Sequence, residues 1–213
     1  VWGVLELSQF LFEWESTSGT EDALINMIME QEKTADLYLK LAEWSSGCVE
    51  NAAQAGADII LISDDWGQQN TMLFNPKLWW DLIYPATQII VDTAKKFGLP
   101  VLMHSDGDIT QVLDGVRKLG ISGLHPVQES SGMAPKETRR ILGDNICIMG
   151  GLDVVSAMPV MNKEEIRKEV KRIFKQYKSS GPFIFSGSHM FQDDTNLEVL
   201  EAAYEEAYSL SEF

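Results

Sequence analysis

The chain has 213 residues, 45% of them hydrophobic, which is ample for a sizeable buried core in one large domain or two small ones. Its 32 acids against 17 bases leave a formal charge of −15, which argues against a nucleic-acid backbone or an anionic membrane surface as partner, since both need clustered Lys and Arg. No apolar stretch approaches the ~20 residues of a membrane span, and no basic, apolar leader marks a signal peptide, so a cytoplasmic protein is expected.

Short apolar runs recur in a strand-then-helix rhythm: VWGVLEL at 1–7, ADIILIS at 57–63, LPVLM at 99–103, ISGL at 121–124, NICIM at 145–149 and PFIFS at 182–186. Continuous apolar strands separated by helices imply an α/β fold with a parallel sheet covered on both faces. In chain order, Cys48 falls in a predicted helix. Asn75 then reads as the N-cap of NPKLWWDLI, with Pro76 at the first helical position, where its missing N–H has no partner to lose. Pro85 predicts a kink or break in the long stretch 76–97. Asp108 is a candidate cap for a helix starting near Thr110. Asn162 opens a helix with acids in the first turn and bases toward the last, as the helix dipole prefers. Thr195 with Glu198 fits a capping box for the closing helix.

Six units running in one direction fit a barrel better than an open sheet. A (β/α)8 TIM-type barrel has eight strands and typically ~250 residues. The chain is therefore expected to be a single domain, 1–213, truncated at its N-terminus by two units. An open edge of that kind invites pairing with another chain, so a homodimer is allowed for. Cys147 lies in a predicted strand, and it and Cys48 are expected to be reduced core thiols.

All three histidines, His104, His125 and His189, stand at or just past the end of an apolar run, and so do Asp64, Asp65 and Asp153. Strand C-termini are where α/β barrels assemble their sites. In PVLMHSDGD, His104 and Asp106 are two apart and face one side of an extended chain, half of a metal site. Gly107 lets the chain turn away or a ligand approach. The plainer alternative is a core histidine and a helix cap at Asp108. In FSGSH, Gly187 loosens the chain just before His189, a ligand or an acid/base. Asp64 and Asp65 bind a cation or share a proton for general-acid work, with one of them expected only to support local structure. Trp66 walls the pocket or packs. His125, Gln128 and Asp153 are candidate substrate contacts, Gln128 offering both a donor and an acceptor.

The ordered set GADIILISDDWG, PxxxHSDGD, GISGLHPVQ, GGLD and SGSH, followed by an acid-rich turn and TNLE, resembles the uroporphyrinogen decarboxylase superfamily from about Gly56 onward. The resemblance implies a (β/α)8 barrel with its site at the C-terminal mouth and this chain holding strands three to eight. It also implies two chemistries. The decarboxylases remove acetate carboxylates from a porphyrinogen without metal or cofactor, using an arginine-rich RQAGRY-type segment that these 213 residues do not contain, and His189 falls where their GHG turn has its histidine. A Pro-aromatic-Thr element of that family falls near residues 5–12, where VLELSQFLFEW reads otherwise. Corrinoid-linked methyltransferases hold zinc with an HxC pair and a cysteine near the last strand. His104 matches that histidine, Asp106 the first cysteine and His189 the second.

The favoured expectation is accordingly metal-dependent methyl transfer. His104, Asp106 and His189 would bind zinc or another divalent ion. Asp64 or Asp65 would donate a proton or support a ligating histidine. Trp66, His125, Gln128 and Asp153 would line the pocket for a small-molecule substrate, and a corrinoid protein would carry the methyl group. The alternative is metal-free decarboxylation of a tetrapyrrole. That substrate wants arginines, whereas Arg117, Arg139 and Arg140 fall in predicted helices or near their ends. The third reading is a non-catalytic tetrapyrrole- or corrinoid-binding barrel.

Overall fold

A computed structural model describes residues 2–5, 19–178 and 181–211. Six strands, β1 (Trp2–Leu5), β2 (Ile59–Ser63), β3 (Val101–His104), β4 (Gly123–Val127), β5 (Cys147–Leu152) and β6 (Phe183–Gly187), form one parallel sheet in the order β1-β2-β3-β4-β5-β6. Each predicted run supplies one strand. The segment after β1, including most of residues 5–12, lies outside the described residues.

Consecutive order without reversal is the connectivity of a barrel rather than of a doubly wound sheet, and right-handed crossovers then put every helix on one face. Among the described residues β1 and β6 are each paired on one side only, so the sheet is an open arc of a TIM-type α/β barrel. Its helices are α1 (Gly19–Met29), α2 (Gln31–Gln54), α3 (Tyr84–Lys96), α4 (Leu113–Leu119), α5 (Pro135–Leu142), α6 (Lys163–Tyr177) and α7 (Leu197–Leu210).

The two faces of the sheet differ in cover. On β2, Ile60 and Ile62 are fully buried while Ile59, Leu61 and Ser63 are only partly covered. The helix-facing residues join Ile90, Val91 and Ala94 of α3 in the main core. A second cluster joins Leu152 of β5 to Ile166 and Val170 of α6 and Val199 and Ala203 of α7. The concave face carries Leu102, Gly123 and Cys147 in one row, and Ser63, His104 and His125 in the row above it. Cys48 and Cys147 are both free thiols.

Local signals hold with two adjustments. Asn75 Oδ1 accepts the Lys77 N–H at 2.9 Å, and Asn162 with Glu165 completes a full capping box on α6. At α7 the cap is Asn196, one residue later than expected. Its Oδ1 accepts the Glu198 N–H at 3.0 Å, while Thr195 N–H is used in a turn to Gln192 O. Asn is at least as good a cap as Thr, which settles the competition. Pro85 does not break the helical run. Trp79–Ile83 winds as a π-helical turn between the α-helical turn Pro76–Leu78 and α3, with Tyr84 N–H donating to Trp79 O. The wider turn moves aside the carbonyl row that the proline ring would otherwise strike and that its missing N–H cannot satisfy.

At the N-terminal end of the sheet, Arg139 of α5 is buried and donates to the carbonyls of Gly143, Ile146 and Pro182, tying together the starts of β5 and β6. Arg117 pairs with Asp114 and Arg140 with Glu137.

Candidate active site

The site follows from register. Ser63 of β2 lies opposite His104 of β3, and His104 opposite His125 of β4. Directly opposed residues of parallel strands point to the same face, so the two imidazoles are neighbours on the concave side. Their rings stack with centroids 4.9 Å apart, and the two Nδ1 atoms are 2.7 Å apart. A register shift between Leu124 and Val127 in the β4–β5 pairing falls across His125 and Pro126, where the peptide bond is cis. His125 Nε2 meets the carbonyl of Gly187, at the end of β6, at 3.0 Å.

Pairing continues past the strand ends. Asp64 N–H donates to His104 O, and Ser105 N–H to His125 O. Two residues beyond the Ser63–His104 pair, Asp65 and Asp106 therefore sit side by side, with Asp106 N–H donating to Asp65 Oδ1 at 2.9 Å. His104 Nε2 is 3.6 Å from Asp65 Oδ1 and 3.7 Å from Asp106 Oδ1. Ligand atoms of Asp65, His104 and Asp106 all lie within 4.8 Å of one another. His189, half exposed, brings Nε2 to 3.4 Å from Asp106 Oδ2.

The two loops that carry the acids touch backbone to backbone. Asp108 N–H donates to Gln68 O at 2.8 Å. A Cβ on Gly67 would lie 2.4 Å from Asp106 O, and one on Gly107, whose φ is +76°, would lie 2.5 Å from Gln68 O. Only glycine permits this approach at both positions. Gly107 does turn the chain sharply, as expected, and it also provides the seat for the neighbouring loop.

The electrostatics are those of an incomplete set of partners. Asp106 Oδ1 is buried without a hydrogen-bond donor. Burial first, and the Asp65 charge second, push the Asp106 carboxyl above its ordinary value, against the opposing pull of His189 and His125. Burial holds His104 and His125 below the usual imidazole range. Neutral imidazoles, clustered carboxylate oxygens and one orphaned buried oxygen are a donor set suited to a divalent cation.

The remaining expected residues separate. Asp64 is fully buried, and its Oδ2 accepts the indole N–H of Trp66 at 2.9 Å. Of the paired acids, Asp65 faces the cluster and Asp64 supports the loop from below, which corrects the expectation of catalysis for Asp64. Trp66 is enclosed too, its ring set edge-on against Trp79 at 5.3 Å, so it packs under the site instead of walling a pocket. His125 uses its two ring nitrogens on His104 and the Gly187 carbonyl. Gln128 and Asp153 do share a cleft, of ≈ 320 Å³, with Ser130, Ser188, Glu169 and Arg172. Within it Asp153 Oδ1 accepts the N–H groups of Val155 and Ser156. Burial would raise the Asp153 carboxyl, but bonds from Ser130, Ser156 and Val155 outweigh it and hold it low.

Two features escaped the sequence reading. Asp65 belongs with His104 and Asp106, which aligning SDD at 63–65 with HSD at 104–106 as neighbouring strand ends would have revealed. The Gly187 carbonyl has no side-chain signal at all.

A parallel barrel-type α/β sheet with ionisable groups gathered at its C-terminal mouth defines the class of TIM-barrel enzymes. Within it, the chain belongs to the uroporphyrinogen decarboxylase (URO-D) family, whose family model matches residues 3–210. A uroporphyrinogen decarboxylase of Ruthia magnifica subsp. Calyptogena magnifica is 24% identical over 178 residues, 81% of this chain and 48% of that protein. Its counterpart from Chlorobium luteolum is 28% identical over 180 residues, 82% of this chain and 49% of that protein. The chain thus spans about half the length of the curated relatives it matches. A solved methyltransferase from Methanosarcina mazei shares the fold with a TM-score of 0.76 at 16% identity, covering 98% of this chain and 58% of that one. No helix among the described residues is long and apolar enough to cross a membrane.

Proposed function

We propose that this URO-D family enzyme carries out metal-dependent methyl transfer, with the methyl group delivered by a corrinoid protein. The observation that carries the reading is the grouping of Asp65, His104 and Asp106 around a buried carboxylate oxygen that has no donor. His104 Nε2, Asp106 and Asp65 would hold a zinc-type ion, with His189 on the far side of Asp106 as a further ligand or proton carrier. Such an ion would supply Lewis acidity, lowering the pKa of a thiol that accepts the methyl group.

The chain's own residues then have distinct tasks. The Asp65–Asp106 backbone link and the Gly67–Gly107 contact hold the two carboxylates in place. His189, open to solvent with Nε2 3.4 Å from Asp106 Oδ2, is placed to pass a proton between the site and water. Gln128 and Asp153, in the cleft at the ends of β4 and β5, would orient a small polar substrate. Carboxylates in place of thiolates make a harder donor set, which favours a more electrophilic ion.

A second reading, metal-free decarboxylation of uroporphyrinogen or a related tetrapyrrole, is favoured by the names of the curated relatives. The arginines do not favour it. Arg117, Arg139, Arg140 and Arg172 are engaged with Asp114, strand-start carbonyls, Glu137 and the Glu129–Glu169 pair respectively.

The two readings part on one experiment: metal content of the purified protein, followed by paired assays with and without a chelator. The expected result is about one divalent ion per chain, lost in a folded His104→Ala variant, and demethylation of a methyl-corrinoid in the presence of a thiol that stops on chelation. Release of carbon dioxide from uroporphyrinogen, unchanged by chelator, would replace the first reading with the second.

A further inference from the structure

We propose that His125 is a positioning residue that fixes the tautomer of His104 through a hydrogen-bond chain beginning at the Gly187 carbonyl. A carbonyl oxygen only accepts, so His125 Nε2, 3.0 Å away, carries the proton. A neutral His125 then presents a bare Nδ1. His104 Nδ1, 2.7 Å from it, must be the donor of that contact. A neutral His104 with its proton on Nδ1 has a lone pair on Nε2, and Nε2 is the atom facing Asp65 and Asp106. Each link leaves one choice for the next.

The short contact supports the scheme, since two ring nitrogens 2.7 Å apart cannot both carry protons. The spacing agrees as well. His104 Nε2 stands 3.6 and 3.7 Å from the two carboxylate oxygens, beyond hydrogen-bonding distance, as expected of a lone pair facing anions rather than an N–H donor. The alternative tautomer would place an N–H where a cation has to sit. The chain also ties three strands together. β6 supplies the carbonyl, β4 the relay and β3 the ligand, so the end of β6 governs an atom three strands away.

This assignment rests on the metal reading only for its purpose, because the tautomers exist without an ion. With three histidines in the chain, long-range proton–nitrogen spectra of metal-stripped, 15N-histidine-labelled protein resolve every ring, assigned through His189→Gln and His125→Gln. The expected spectrum has His104 protonated at Nδ1 and bare at Nε2, and His125 protonated at Nε2. In His125→Phe, which keeps the ring volume and removes the acceptor, His104 moves toward the Nε2–H form and zinc affinity falls about 10- to 100-fold. His125→Gln, which restores an acceptor oxygen, recovers most of that loss. A wild-type His104 protonated at Nε2, or a His104 tautomer unchanged in His125→Phe, would overturn the proposal. The expected tautomers with no zinc uptake would uphold the relay and overturn the metal reading instead.

Discussion

Arg139 and Asp106 are buried ionisable groups at opposite ends of the same sheet, and the fold treats them in opposite ways. At the N-terminal end, Arg139 spends both terminal nitrogens on the carbonyls of Gly143, Ile146 and Pro182, leaving only Nε without a partner. At the C-terminal end, Asp106 is set beside a second carboxylate with one oxygen lacking any donor, and burial first and the Asp65 charge second raise its pKa. A guanidinium surrounded by fixed carbonyls stabilises the native state without any addition. A carboxylate crowded by another carboxylate is relieved by a proton or by a bound cation. The contrast separates the end of a barrel that holds the fold together from the end that does chemistry.

The comparison breaks most visibly at Arg139. Replacing it with methionine keeps much of the apolar stem and strands three carbonyls at the starts of β5 and β6. The expected loss is about 3 kcal/mol of stability, or roughly 6–12 °C in Tm for a chain of this size. Metal binding per folded molecule should not change, because the residue is a sheet length from the cluster. A thermal melt and a zinc titration on the same preparation check both halves. A loss of zinc affinity without a loss of Tm would contradict the assignment of roles to the two ends.

Asp106→Asn should act with the opposite sign. The amide keeps the shape, removes the charge beside Asp65, and gives the buried position a donor as well as an acceptor. In metal-stripped protein it is expected to raise stability by about 1 kcal/mol, while zinc uptake is abolished. Stability gained as function is lost is the mark of a site strained for its ligand. Chemical denaturation in the presence of a chelator, compared with metal analysis, reads both. An Asp106→Asn protein less stable than its metal-free parent would mean that Asp106 is already satisfied and that the site needs no ion.

Gly67→Ala tests the scaffold rather than a ligand. The new methyl would meet Asp106 O at 2.4 Å, backbone against side chain, so the two loops must separate. Circular dichroism should stay native, while zinc affinity drops about tenfold as Asp65 and Asp106 lose their shared position. Unchanged affinity would show that the loops are free to adjust and that their contact is incidental.

The sheet was readable in the sequence because each strand falls on an apolar run and several helices begin with an Asn or Pro signal, as at Asn75, Pro135, Asn162 and Asn196. The identity of the site was half readable. His104, Asp106 and His189 stood out as strand-end residues, and the structure gathers them. Asp65 was visible as a catalytic or cation-binding acid, but only the register of β2 against β3 shows it beside Asp106. Trp66 and Asp64 take the structural of their two expected roles for one reason. An indole and a carboxyl two residues apart satisfied each other under the loop, a pairing that depends on backbone direction past the strand end rather than on residue type. The role of Gly187 is carried by a carbonyl, which every residue has.

The smallest expected effect concerns the cleft beside the cluster, where Arg172 donates to Glu129 and Glu169 from two edges of its guanidinium. These bonds raise the Arg172 pKa, Glu169 first, against the cost of burial. The group is nearly half exposed, so solvent screens much of that attraction. Arg172→Met should therefore cost about 0.5–1 kcal/mol and leave zinc affinity alone. It also removes the one cation that separates Glu129 from Glu169 within a cleft that already holds Asp153. If the methyl-transfer reading is right and the substrate is a small neutral or cationic molecule, turnover in Arg172→Met should hold or improve. If a polycarboxylate is the substrate, this arginine is the cleft's attraction for it, and turnover should collapse. Steady-state assays on both substrate classes thus turn the mildest substitution into a test of what the mouth of the barrel is built to receive.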